Sequence, residues 1–195
     1  MAPPYERTLT IGGLPGTGTT TACRALSKAT GLAHVYAGQR FRDLAQAKGM
    51  TLAEFSAYAE AHAEVDRELD AWQAEILAAG KPVILEGRMS GFLAYRDRRP
   101  AYKVWFTCDP YVRGRRLVER EGGDLEDMME RMQRRESSEH KRYLEFYGYD
   151  SHDLGVYDLV LETSELSRER VVEAILQGYS AATRKWSFRG LFGRR

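Results

Sequence analysis

Five short apolar runs punctuate the chain, and residues at helical spacing fill most of the intervals between them. The first run, over 8–12, holds Leu9 and Ile11 and ends in glycines. Ala22, Ala25, Leu26 and Ala29 then share one helical face until Gly31 stops the pattern. A second strand is predicted over 33–36 and a helix over 37–48, ended by Gly49. Thr51 and Glu54 form a capping box that opens another short helix. Val65, Leu69, Trp72, Ile76 and Leu77 recur at helical spacing within 63–79, ahead of Gly80-Lys81-Pro82. The stretch 83–85 reads as a buried strand, 90–95 as a short helix and 102–107 as a fourth strand. Asp109 followed by Pro110 starts a helix that runs to about residue 121. Asp124 caps a long, very polar helical stretch over 125–147. A fifth strand is predicted over 157–161, and Ser167 opens a final helix with Val171, Val172, Ala174, Ile175 and Leu176 available to pack.

Strands alternating with helices predict an α/β fold: a five-stranded parallel sheet with helices on both faces. Ligands of such sheets sit outside the carboxyl ends of the strands. The glycine loop, the turn over 37–42 and the turn over 86–88 all follow predicted strands, so they are expected to meet on one rim.

The glycine loop is the most informative stretch. Gly12, Gly13, Gly16 and Gly18 fall between an apolar strand and a helix. There, backbone N–H groups can converge on phosphate oxygens, and the helix N-terminus adds its positive dipole end. Against the template G-x-x-x-x-G-K-[ST], Gly13 and Gly18 fit, and Thr20 supplies the hydroxyl that would ligate Mg2+. Thr19 stands where the template has Lys. A nucleoside triphosphate site is one reading; a glycine-rich turn of an ordinary α/β domain is the other.

Glu86 ends a buried strand beside this loop, where it suits a contact to Mg2+ or merely caps a turn. Arg88 and Arg42 would place cations on the same rim. The stretch 113–142 carries eight arginines. Arg113, Arg116 and Arg120 can share one helical face, as can Arg135 and Arg142. Five glutamates, Glu119, Glu121, Glu130, Glu136 and Glu139, could pair with these on a solvated surface; a mobile phosphate-gripping flap is the competing reading. No Ser–His–Asp or Cys–His pair stands out, and no histidine is expected near the motifs. Hydrolysis or acyl transfer would need an activated nucleophile. Phosphoryl transfer to another phosphate needs no base; it needs cations to hold two polyanions together and exclusion of water.

Composition narrows the class. A length of 195 residues, 43% hydrophobic and 29% charged, fits one globular domain. Net charge of +1 gives no reason to expect DNA or another bulk polyanion. Two cysteines without paired spacing fit a reduced, cytoplasmic setting, and His34, His62, His140 and His152 show no metal spacing. No apolar run approaches a membrane span, and residues 1–7 read as a loose arm. Residues 180–195 turn basic and aromatic, which fits a solvated tail better than a nucleic-acid or membrane contact.

The chain resembles the nucleoside monophosphate kinases, most closely the archaeal-type cytidylate kinases, over about residues 8–179. The likeness rests on Gly12-Gly-Leu-Pro-Gly-Thr-Gly-Thr-Thr-Thr21, the stretch His34 to Arg42, Val65-Asp-Arg-Glu-Leu-Asp70, Glu86-Gly-Arg88, the stretch Arg135 to Tyr143 and Tyr157-Asp-Leu-Val160, six pieces in order. The resemblance implies a single kinase domain over 1–179, with an acceptor-binding helical insertion near 37–80, a lid near 122–150 and a tail over 180–195. It implies ATP-binding roles for Gly13, Leu14, Pro15, Gly16, Thr17, Gly18, Thr19, Thr20, Arg116 and Arg120. It assigns CMP to Ala37, Gly38, Arg42, Asp66, Arg67, Arg88 and Glu139, transfer to Arg88, Arg135 and Arg142, and Mg2+ to Thr20 and Glu86. The implied reaction moves the γ-phosphoryl group of ATP to CMP and dCMP. AMP or UMP as acceptor, and a catalytically silent nucleotide-binding regulator, are the alternatives. Small-molecule substrates, no nucleic acid, no membrane and a monomer complete the expectation.

Overall fold

A computed structural model describes residues 6–192, without the side chains of Ala53 and of 184–192. The expected arm over 1–7 therefore lies mostly outside the described residues, as do the side chains of most of the tail. Five strands form one parallel sheet in the order β2-β3-β1-β4-β5. They are β1 Thr8–Gly13, β2 Ala33–Tyr36, β3 Val83–Glu86, β4 Ala101–Thr107 and β5 Leu159–Glu162. β1 is central and buried at all six positions. Its register, Leu9 opposite Ile84 and Tyr102, aligns the carboxyl ends of β1, β3 and β4.

Eight helices connect and cover the strands among the described residues: α1 Thr19–Thr30, α2 Ala37–Ala47, α3 Leu52–Ala61, α4 Ala63–Ala78, α5 Ser90–Arg96, α6 Pro110–Glu121, α7 Leu125–Tyr147 and α8 Arg168–Phe192. Side chains of period two send Leu9, Ile11, Ile84, Val104 and Phe106 to one face, where α1 and α8 cover them with Leu26, Ile175 and Tyr179. Leu85 and Ala101 face the other layer, with Leu77 of α4 and Met89, Phe92 and Leu93 at α5. Two smaller clusters hold the excursions: Ala45, Phe55, Ala59 and Val65 under α2–α4, and Leu117, Met128 and Met132 between α6 and α7.

The start signals act as the sequence predicts. Thr51 accepts from the Glu54 N–H, and Glu54 reaches back to Thr51. Asp109 accepts from the N–H groups of Tyr111 and Val112 at 2.9 and 3.1 Å. Each such cap contributes about 1 kcal/mol. The fifth strand begins at Leu159 rather than 157 and lies at the sheet edge, with Val160 41% exposed. The last helix runs on to Phe192, with Thr183 still buried, so residues 180–192 continue helix where a solvated tail was expected. No described helix is long and apolar enough to cross a membrane.

Candidate functional site

The loop between β1 and α1 turns sharply: the Thr17 hydroxyl and N–H both donate to the Leu14 carbonyl, at 2.8 and 3.2 Å. Gly16 sits at φ +83°, and a Cβ there would meet the Arg113 carbonyl at 2.7 Å. Only glycine lets α6 come this close to the loop. Gly18 caps α1 in the left-handed region, with no side-chain cap and no acidic residue in the first turn. The first turn of α1 thus supplies no side-chain acceptor for its own N–H groups, the condition under which a helix start binds phosphate.

Below the loop lies Glu86, 4% exposed at the end of β3. Its Oε1 accepts from the hydroxyls of Thr19 at 2.9 Å and Thr20 at 2.6 Å. His34 Nε2 lies 2.8 Å from Oε2. The carboxylate is thus held by three side chains from two other elements. The parallel pairing of β2 with β3 sets His34 opposite Ile84, two positions short of the Tyr36–Glu86 pair. This corrects the expectation that no histidine is near the motifs. Cys23 is buried alongside, and burial followed by the Glu86 charge pushes its thiol well above the ordinary range. Thr19, in the usual Lys position, spends its hydroxyl on Glu86.

Cations reach the loop from α6. Arg116 Nη1 donates to the Gly16 carbonyl at 3.2 Å, and Nη2 to the Thr163 and Ser164 carbonyls at 2.8 and 3.2 Å. Arg113, 4% exposed, donates to the Pro15 carbonyl at 3.3 Å and pairs with Glu136 of α7 at 2.5 Å. Arg120 is not brought to the loop: its side chain is 65% exposed and paired with Glu121. Sequence reading placed Arg113 on the right face but gave it no role at the site.

The turn after β3 carries the second group. Gly87 donates its N–H to the Ile11 carbonyl at 3.1 Å, and a Cβ there would run into Gln73 and lie 3.2 Å from the Ala37 methyl. Next to it Arg88 pairs with Glu139 of α7, which also accepts from Arg135 Nε at 2.9 Å. Burial, and then the neighbouring Arg135, lower Arg88 to about 10, so it keeps its charge at neutral pH. Tyr143 beside it is raised to about 12 by burial. Arg142 bonds Asp66 at 2.8 Å and the Ser138 hydroxyl at 2.7 Å. Arg67 is exposed and lies over the Phe146 ring at 5.6 Å.

Arg42 sits in the first turns of α2. It is exposed, donates to the Gly38 carbonyl at 3.2 Å and lies over the Tyr36 ring at 5.5 Å. Gly38 itself is pressed on that ring. A further missed pair lies behind the turn. Asp70 accepts from the Tyr147 hydroxyl of α7 at 2.7 Å and the Gln73 amide at 3.1 Å; Asp70 and Gln73 are buried on α4, whereas Leu69, Trp72 and Ile76 of the expected apolar face are only half-buried. Burial raises Asp70 to about 6.

A glycine loop feeding a helix, a strand-end carboxylate beside the loop threonines and a set of arginines on the same rim define a P-loop phosphotransferase architecture. Comparison with known proteins agrees. The family described as an AAA domain matches residues 9–127. A gluconokinase from Sinorhizobium meliloti shares the fold at a TM-score of 0.63, with 14% identity over 95% of this chain and 98% of its own. A cytidylate kinase of Methanococcus maripaludis is 47% identical over 168 residues, 86% of this chain and 94% of its own length. One from Methanopyrus kandleri is also 47% identical, over 83% of this chain and 86% of its own. The chain belongs to the cytidylate kinase family.

Proposed function

We propose that the chain transfers the γ-phosphoryl group of ATP to CMP and dCMP, giving ADP and the cytidine diphosphates, with Mg2+. The observation that carries this reading is the kinship with cytidylate kinases over most of both chains, together with Arg88 on the rim beside the glycine loop. The loop over Gly13–Thr20 receives the donor phosphates on backbone N–H groups, with Arg116 backing it. Thr20 and Glu86 offer hard oxygen ligands 2.6 Å apart, the donor chemistry that Mg2+ prefers. Bound there, Mg2+ would neutralise charge on the donor phosphates.

Arg88 and Arg42 take the acceptor phosphate, and Arg135 and Arg142 of the lid, α7, bridge donor and acceptor. Glu139 and Asp66 hold three of these four arginines. Phosphate oxygens can replace them, since Arg–carboxylate and Arg–phosphate contacts share one geometry. Exchanging those partners would free the two carboxylates. Glu139 and Asp66, with Arg67, Ala37 and Gly38, are then left at the acceptor's ribose and base. With the usual Lys replaced by Thr19, the arginines supply the charge that lets two polyanions meet. The acceptor oxygen is already anionic, so no base is required. The reading has the protein act in the cytoplasm as a monomer, with Cys23 and Cys108 both free thiols.

The test is coupled ADP release with ATP, Mg2+ and CMP, dCMP, UMP, AMP or GMP in turn. Turnover is expected with CMP and dCMP. Turnover with another monophosphate alone overturns the acceptor; ATP binding without turnover overturns catalysis. Arg88→Ala should lose at least about a hundredfold in kcat/KM, the scale of one lost donor to transition-state charge, with folding intact. Unchanged kinetics in that variant refutes its role.

A further inference from the structure

The last turns of α7 and the turn that follows bring three metal-ligating side chains together. His140 Nδ1 lies 3.7 Å from Asp150 Oδ1, and His152 Nδ1 lies 3.2 Å from the same oxygen. The two imidazole rings are 4.3 Å apart and tilted by 42°. One donor atom of each residue falls within 4.8 Å of the others. Two ligands at about 2.0–2.1 Å on a tetrahedral zinc stand roughly 3.3 Å apart, so both nitrogen–oxygen separations are already near the value that coordination needs.

We propose that His140, Asp150 and His152 form a binding site for a divalent transition-metal ion of the zinc class. Two imidazoles and one carboxylate make a donor set for a borderline ion; Mg2+ and Ca2+ prefer oxygen alone. The backbone N–H of His152 donates to Asp150 Oδ1 at 2.8 Å, which orients the carboxylate between the two imidazoles. His140 is half-buried, and Asp150 and His152 are exposed, which leaves a fourth position open to water or to the Ser151 hydroxyl, 2.8 Å from His140 Nδ1. The anchor between the ligands is firm: Tyr149 is buried and stacks on Phe92 at 3.9 Å. A bound ion would clip the last turns of α7 to the chain that leaves it. The proposal does not depend on the kinase reading.

The experiment uses the full chain without nucleotide, in excess Mg2+ and otherwise metal-free buffer, titrated with Zn2+ by calorimetry. One Zn2+ per chain is expected. His152→Ala, a change on an exposed turn, and His140→Ala should each weaken it by more than the about 10–100-fold that a disturbed supporting group costs. Both variants should keep wild-type phosphotransfer in zinc-free buffer. Co2+ substituted into the wild type gives a second measurement that needs no variant: a tetrahedral spectrum without a thiolate charge-transfer band is expected. Absence of binding, unchanged affinity in both variants, or a thiolate band that places the ion at Cys23 beside His34 and Glu86 would each overturn the proposal.

Discussion

Asp70 offers a test of how the interior behind the turn after β3 is arranged. Its carboxyl is 6% exposed on α4, and burial, reinforced by the Asp66 charge, raises it from 3.8 to about 6 against the opposing effect of the Tyr147 hydrogen bond. The fold thus binds the protonated form better than the unfolded chain does. Stability is unpenalised below the unfolded value and falls as pH rises between the two values. At about 1.4 kcal/mol per unit, the full penalty above pH 6 is roughly 3 kcal/mol. Asp70→Asn removes the charge and keeps an acceptor for Tyr147. Its new amide can meet the Gln73 side-chain oxygen, which is buried without a partner among the described residues, if the Gln73 amide turns over. Lost hydrogen bonds shift the variant by the same amount at every pH, so the readout is the pH dependence of the difference. Urea unfolding of both proteins should show the variant gaining roughly 1.5 kcal/mol relative to wild type between about pH 5 and about pH 7.5. A difference that stays constant, or moves against the variant as pH rises, refutes the reasoning.

Arg113→Ala removes a buried cation that joins the glycine loop to α7 through Glu136. Because Glu136 keeps 24% of its side-chain exposure, the loss should fall near 2–3 kcal/mol, below the about 3–5 of a wholly buried pair, as read by chemical denaturation. Arg113→Lys should recover only part of it, since a single ammonium cannot reproduce the fork on both Glu136 oxygens. Arg116→Ala should raise KM for ATP about tenfold or more, the cost of one charge-assisted contact. Arg120→Ala should leave KM for ATP within about twofold, because its exposed side chain pairs with Glu121 and is not brought to the loop. Steady-state kinetics on both variants separates them, and equal effects would refute the division of roles along α6.

That division shows what the chain discloses and what it withholds. Spacing alone puts Arg113, Arg116 and Arg120 on one face of a helix, and it is silent on which end of that face meets the loop. Topology decides it: α6 leaves the rim at β4, and each residue carries it about 1.5 Å, so Arg120 begins roughly 10 Å beyond Arg113. The glycine loop was legible because strand, glycines and helix are local, and an N-terminal helical turn without an acidic residue is visible in the letters themselves. Asp70 and Gln73 were not, because a polar side chain at a buried helical position reads as solvent until its partners, one of them 77 residues away, are known.

Glu86 is the clearest case. Its place at the end of an apolar strand marked it as a carboxylate of the site. Its state depends on Thr19, Thr20 and His34, residues 52 to 67 positions away that only the parallel register of β2, β3 and β1 brings together. Three side chains converging on one buried carboxylate fix its orientation. On the proposed reading, a Lys at position 19 would put a full charge there and compete with the cations on α6 and α7 for the donor phosphates. With Thr19 the loop contributes only dipoles. The positive charge then resides on side chains of elements outside the loop, where Glu136, Glu139 and Asp66 hold it in place.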